Sequence, residues 1–219
     1  GSMNCEVGTC AFWNDKIESL DDLREREAIL GGTGPTASST RDALVLQSLL
    51  GLKFRIILGY PSLLDVRRPA EQGEVDGFCG LLVSSLNAGA WEDLREGKFR
   101  IVLQTGLFKH PDLPDNIPNV FDLVEDPEGQ RILRLVFAPW AFGKPVAAPP
   151  GIPGDRLHEL QAAFAETLAD SAFQQDAASA GVEINPMSPE DLSALLGSLY
   201  TTPRNLIERT RGILGIMRP

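Results

Sequence analysis

The chain has 219 residues, 43% of them hydrophobic, which is enough to bury a core as one large domain or two small lobes. Its 30 acidic and 20 basic residues give a formal net charge of −10, which argues against binding to nucleic-acid phosphates, because that binding requires clustered basic surface. No apolar run approaches the roughly 18 residues of a membrane-spanning helix, and no signal segment precedes the first predicted strand. Gly1-Ser2-Met3 resembles a tag remnant, so an export signal upstream of Asn4 stays possible.

The first predicted elements are a strand over residues 7–13 and a short helix that begins at Ser19-Leu20-Asp21-Asp22. Serine is a preferred N-cap, and acidic residues favour the first turn of a helix. The three cysteines have no Cys-x-x-Cys spacing, so the sequence predicts neither a zinc site nor a dense disulfide framework. Cys79 lies in an apolar run and is predicted to be a small core residue, while a Cys5–Cys10 bridge remains an alternative to two free thiols.

A glycine-rich turn follows the next predicted strand, in the run Ala28-Ile29-Leu30-Gly31-Gly32-Thr33-Gly34-Pro35-Thr36-Ala37-Ser38-Ser39. Such a turn directs several main-chain N–H groups and the start of a helix at one point, which forms an anion pocket without a basic side chain. An ordinary strand-to-helix turn is the alternative. The candidate ligand-binding residues of this turn are Gly32, Thr33, Gly34, Pro35, Thr36 and Ser38.

Strands and helices then alternate. The sequence predicts a helix that Gly51 ends, a strand over 54–58, a helix that Gly73 ends, a strand over 75–83, a helix around Trp91 and a strand over 100–104. Regular alternation predicts a mostly parallel sheet with helices on both faces. Turns after parallel strands meet at one edge, which adds Gly59, Tyr60 and Pro61, and Cys79-Gly80 with the turn that follows them, to the candidate site. The Tyr60 side chain could reach a ligand or stack on the surface.

The remainder of the chain is predicted to be mainly helical. Helices are expected over 120–124 and 127–136, then a strand that leaves through a Pro/Gly connector over 143–153, and then four helices with a possible strand over 182–184. Ser188-Pro189-Glu190-Asp191 is a strong helix start. The apolar faces of these terminal helices predict packing on something outside the chain, and self-association is an alternative.

Catalytic signals are few. His110 and His158 have no metal-ligand spacing, and roles at the surface or in bracing a loop are expected for both. No complete phosphate-binding loop, dinucleotide fingerprint or nucleophile elbow is present, so we predict no enzyme activity, no cofactor and no metal. An α/β enzyme acting on a phosphorylated metabolite at the glycine turn is a distant alternative.

Several separate segments together resemble the Bug family, the extracytoplasmic solute receptors of tripartite tricarboxylate transporters. They are Leu30-Gly31-Gly32-Thr33-Gly34, Gly59-Tyr60-Pro61 in place of the family's Pro-Tyr-Lys-Gly, Gly73-Glu74-Val75-Asp76, the prolyl stretch from Leu113-Pro114-Asp115 to Val120, and Ala148-Pro149-Pro150-Gly151-Ile152-Pro153.

The resemblance implies a two-lobed periplasmic binding protein of type II fold that closes on a small carboxylate and delivers it to membrane transporter subunits. It divides the chain into a crossover strand and helix over 1–29, a second lobe over 30–137, a return crossover over 138–153 and a C-terminal part of the first lobe over 154–219. Half of the ligand site would then lie outside the chain, which predicts weak or no binding. A sensory or regulatory ligand-binding domain of the same fold is the main alternative.

Overall fold

A computed structural model describes residues 1–86 and 88–216 of the chain. The strands are β1 (Gly8–Phe12), β2 (Ala28–Gly32), β3 (Phe54–Leu58), β4 (Gly77–Leu82) and β5 (Arg100–Thr105). The first six helices are α1 (Leu20–Glu25), α2 (Ser38–Leu50), α3 (Leu64–Glu71), α4 (Ala88–Arg95), α5 (Val120–Leu123) and α6 (Pro127–Ala141). The last four are α7 (Gly154–Ala169), α8 (Ser171–Ser179), α9 (Pro189–Tyr200) and α10 (Arg204–Ile213).

The five strands form one sheet in the order β3-β2-β4-β1-β5. β2 pairs in parallel with β3 and with β4, whereas β1 lies antiparallel between β4 and β5. Four strands therefore point the same way, which confirms the predicted mostly parallel sheet. The N-terminal residue of β1, Gly8, pairs with Leu82 and Thr105, so it lies at the edge where β4 and β5 end.

Helices cover both faces of the sheet, as predicted. On one face α2 and α6 bury Ala43, Leu46, Leu133 and Phe137 in a shared core. On the other, α3 and α4 pack over a second core that includes Val66. The bounds of these helices follow local signals, because Gly51 ends α2 in a left-handed conformation with φ of 69° and the Ser19 side chain caps α1.

Two predicted strands were wrong. The segment over 143–153 contains only an isolated pairing of Pro145 with Ser2, and the segment over 182–184 has no strand, although its neighbours Asn185 and Met187 pair singly with the N-terminal residues. Prolines explain the first failure, since a proline cannot donate an N–H to a strand ladder. α9 and α10 pack against α6, where Leu195 and Leu199 of α9 join Ala138 and Ala141 in a small core, and Ser188 caps α9 as predicted.

Cys79 is buried in the core, as predicted, but the pairing of the cysteines was not predicted. Cys10 and Cys79 form a disulfide between the neighbouring strands β1 and β4, while Cys5 is a buried free thiol. The two cysteines face each other across the antiparallel pair, so strand register, rather than closeness in the sequence, selects the partner. Burial and the nearby carboxylates of Glu183 and Glu6 raise the pKa of the Cys5 thiol.

Candidate functional site

The predicted glycine turn lies at the carboxyl edge of the sheet. It leaves β2 at Gly32 and enters α2 at Ser38, and the neighbouring turn over 59–62 leaves β3 at the same edge. Gly34 has open space where a side chain would be, and Pro35 and Thr36 are exposed. The turn is therefore accessible from solvent.

The first turn of α2 presents unpaired main-chain donors. Its N-cap, Ala37, makes no side-chain cap, so the predicted hydroxyl residues form the first turn of the helix rather than the cap. Among the described residues, the N–H groups of Ser38 and Ser39 donate to no partner. The Thr40 hydroxyl donates to the Gly34 carbonyl at 2.7 Å and holds the turn against the helix. These donors and the positive end of the helix dipole favour an anion.

Glycine at position 80 allows α2 to approach the sheet at this point. Gly80 has a φ of +84°, and a Cβ there would lie 3.1 Å from the main-chain nitrogen of Ser39. Gly80 and Cys79 lie inside β4, so the predicted turn after them was misplaced. The Cys79 side chain is fully buried in the disulfide and is not available to a ligand.

Two other predicted residues have packing roles. A Cβ on Gly32 would lie 3.0 Å from the Thr40 hydroxyl, which explains why glycine suits the end of β2. The Tyr60 ring packs against Gly31 and the second core. The main-chain N–H of Tyr60 donates to the Gly32 carbonyl at 3.3 Å. Pro61, which follows it, is exposed. These contacts match the predicted stacking of the Tyr60 side chain on the protein surface.

The sequence analysis did not single out a charged side chain in the first turn of α2, that of Arg41. The Cζ atom of Arg41 lies 5.6 Å from the centre of the Trp140 ring, over its face. The Nε and Nη2 atoms of Arg41 each lie 3.4 Å from Oδ1 of Asp42. The Arg41 side chain is 24% exposed, whereas that of Asp42 is fully buried. Because burial outweighs the stabilising effects of Arg41 and Trp140, the pKa of Asp42 rises to about 7.

Three buried polar atoms near Trp140 make no hydrogen bond of ordinary geometry with the described residues: Oδ2 of Asp42, Nε1 of Trp140 and Oγ1 of Thr105. The indole N–H of Trp140 still stabilises the ionised carboxyl of Asp42. A Cβ built on Gly8 would lie 2.5 Å from the Thr105 hydroxyl and 3.4 Å from the indole nitrogen, so these two atoms face the same space. Gly8 and Thr105 place that space at the carboxyl edge. Arg41 was detectable as the lone cation in the first turn after the glycine loop, whereas Thr105 and Trp140 carry no local signal.

The histidine expectations are consistent with the contacts of His110. This buried side chain lies with Nε2 at 3.2 Å from Oε1 of Glu183, while its main-chain N–H donates to Gln104 at 2.8 Å. It thereby braces the loop after β5.

Within residues 1–86 and 88–216 no cluster of metal-ligating side chains is found, and none of the helices described there is long and apolar enough to cross a membrane.

Comparison with solved structures identifies the architecture. A TctC solute-binding protein from Polaromonas matches with a TM-score of 0.63 and 9% identity, over 97% of this chain and 66% of its own. An R. palustris protein solved with adipate matches with a TM-score of 0.56 and 15% identity over 96% and 66% of the two chains. The periplasmic binding protein BugD matches with a TM-score of 0.54 and 18% identity over 98% and 68%.

The chain thus spans about two thirds of the length of these neighbours. No protein-family model matches it, and no curated protein matches its sequence. The neighbours confirm the predicted resemblance through three-dimensional structure alone, because the identities are low. The chain has the α/β fold of the TctC- and Bug-type periplasmic solute-binding proteins.

Proposed function

We propose that the chain is part of a periplasmic, non-enzymatic receptor that binds a small carboxylate and delivers it to a membrane transporter. The observation that carries the proposal is the start of α2, which follows the open glycine turn at the carboxyl edge of the sheet. There the N–H groups of half-buried Ser38 and buried Ser39 have no partner among the described residues. A carboxylate only accepts hydrogen bonds, so it matches a site composed of donors.

The fold supports this class of ligand. Besides the neighbour with adipate, MatC from Rhodopseudomonas palustris was solved with bound malate, and it matches with a TM-score of 0.52 and 16% identity over 97% of this chain and 69% of its own. The proposed ligand-contacting residues are Gly32, Thr33, Gly34, Pro35, Thr36, Ser38, Gly59, Tyr60, Pro61 and Gly80, with the Cys79 side chain left out. The net charge of −10 is compatible, because main-chain dipoles act at contact distance whereas distant charges are screened over about 10 Å.

We propose in addition that the carboxyl edge of the sheet, in a lobe over 30–137, is one wall of the site. The helices over 154–219 belong with the other lobe, so the site lies between the two lobes. Sites for small molecules bury most of the surface of the ligand, so a single wall should bind in the millimolar range.

Nuclear magnetic resonance of ¹⁵N-labelled protein tests the proposal. Titration with malate or adipate should produce saturating shifts of the amide signals of Ser38 and Ser39, while sodium chloride at equal ionic strength should not. If neither acid shifts these signals, or if the shifts occur only at the C-terminal helices, the proposal is wrong.

A further inference from the structure

We propose that Arg41 contributes a cationic subsite for the ligand carboxylate and that buried Asp42 is the positioning residue that holds its guanidinium toward the carboxyl edge. This inference rests on the proposed function and names a specificity-determining group within that site. It assigns the charge recognition to a side chain, in addition to the main-chain donors of the glycine turn.

The position of Arg41 is the first argument. It is the fourth residue of α2, and its N–H donates to the Ala37 carbonyl at 2.9 Å, so it belongs to the same helical turn as the unpaired donors. Long side chains on a helix point back toward its N-terminus. Arg41 is also the only basic residue of α2, and no acidic residue occupies the first turn of that helix.

The way in which Arg41 is held is the second argument. Two of its nitrogens face one oxygen of Asp42, and its guanidinium covers the Trp140 ring. Guanidinium has five N–H donors, so this arrangement leaves donors for a second carboxylate. The partial exposure of the side chain gives a ligand access to them. Stacking on an aromatic ring fixes the plane of the group without using those donors.

Asp42 is the third and independent observation. Its side chain is completely buried, and one of its oxygens makes no hydrogen bond of ordinary geometry with the described residues. Arg41 is the charged group that stabilises its ionised form, together with the neutral indole of Trp140. A buried carboxyl with an unpaired oxygen is costly for the fold. The cost is understandable if the carboxyl orients the cation of a binding site, because a site residue must be held in place by packed neighbours.

The inference is tested by measuring malate affinity at pH 8 from amide shifts in the wild type and in single variants. Arg41→Gln should weaken malate binding about tenfold, because it removes a charge-assisted hydrogen bond at a partly exposed site. The affinity of Arg41→Lys should lie between those of the wild type and Arg41→Gln, because lysine keeps the charge but lacks the planar pair of donors of the guanidinium. The matched control is Arg131→Gln, which removes an exposed arginine of α6 more than two helical turns from Trp140 and should leave the affinity unchanged.

Two readouts separate recognition from a structural effect. Wild-type protein should prefer malate over its uncharged diamide, and Arg41→Gln should remove most of that preference. Asp42→Asn should weaken malate binding in the wild type and have no further effect in the Arg41→Gln background, because a positioning residue acts only through the group that it positions.

The outcomes distinguish the two proposals. If the wild type binds malate and Arg41→Gln binds it equally well, the subsite is wrong and the receptor function stands. If wild-type protein binds neither malate nor adipate, both proposals are wrong. Preserved folding of each variant is checked by its amide spectrum, and Arg41→Lys supplies the test should the glutamine variant fail to fold.

Discussion

Replacing Asp42 with asparagine should make the protein more resistant to unfolding at alkaline pH. Burial raises the pKa of this carboxyl from 3.8 to about 7, so the folded protein binds the proton more tightly than the unfolded chain does. The contribution of this carboxyl to stability must therefore fall as the pH rises from about 4 to 7, and the loss is complete once the folded carboxyl is ionised. Each tenfold difference in proton affinity is worth about 1.4 kcal/mol.

From these pKa values the ionisable carboxyl costs the folded state about 2 kcal/mol at pH 5 and about 4 kcal/mol at pH 8. The free energy of unfolding of Asp42→Asn minus that of the wild type should thus increase by about 2 to 3 kcal/mol over this range, because asparagine does not titrate. Urea denaturation at four pH values measures the difference, with Asp115→Asn, in an exposed turn, as the charge control. A difference that is constant with pH would refute the argument from burial.

Three further outcomes follow from the contacts. Reduction of the Cys10–Cys79 disulfide, or Cys10→Ala, should lower the free energy of unfolding by about 4 kcal/mol, because the bridge closes a loop of 69 residues and restricts the unfolded chain. Mass spectrometry of alkylated peptides should find Cys5 free, and a Cys5–Cys10 bridge would contradict the pairing. Gly80→Ala should destabilise by about 2 to 3 kcal/mol, because positive φ and the contact with Ser39 act together, and should shift the amide signals at the start of α2. Gly51→Ala, with positive φ and open space, should cost only about 1 kcal/mol in thermal or urea unfolding, and equal costs for the two glycines would argue against close packing at Gly80.

Local patterns were sufficient to predict most of the fold. The 3.6-residue spacing of Ala43 and Leu46, the stop at Gly51 and the Ser19 cap each depend on neighbours along the chain, and the structure has all of them. The strand expected over 143–153 failed because apolar residues between prolines resemble an edge strand in composition, while the sheet requires N–H donors that prolines lack. A single bridge to Ser2 is what remains.

The candidate site was less predictable, because its parts come from distant segments. The glycine turn is contiguous in the sequence and was found there. The pairing of Cys10 with Cys79 depends on the register between β1 and β4, and the contact of Arg41 with Trp140 depends on the packing of α2 against α6. Neither register nor helix packing leaves a mark at the residues concerned, so single-sequence reasoning could not find them.

A crystal structure of the protein soaked in concentrated malate tests the central claim most directly. The account predicts a carboxylate whose oxygens lie within hydrogen-bonding distance of the N–H groups of Ser38 and Ser39, with the Arg41 guanidinium beside it. Malate bound instead in the apolar groove between Leu160 and Pro189, or a carboxyl edge that stays free of malate at saturating concentration, would contradict it.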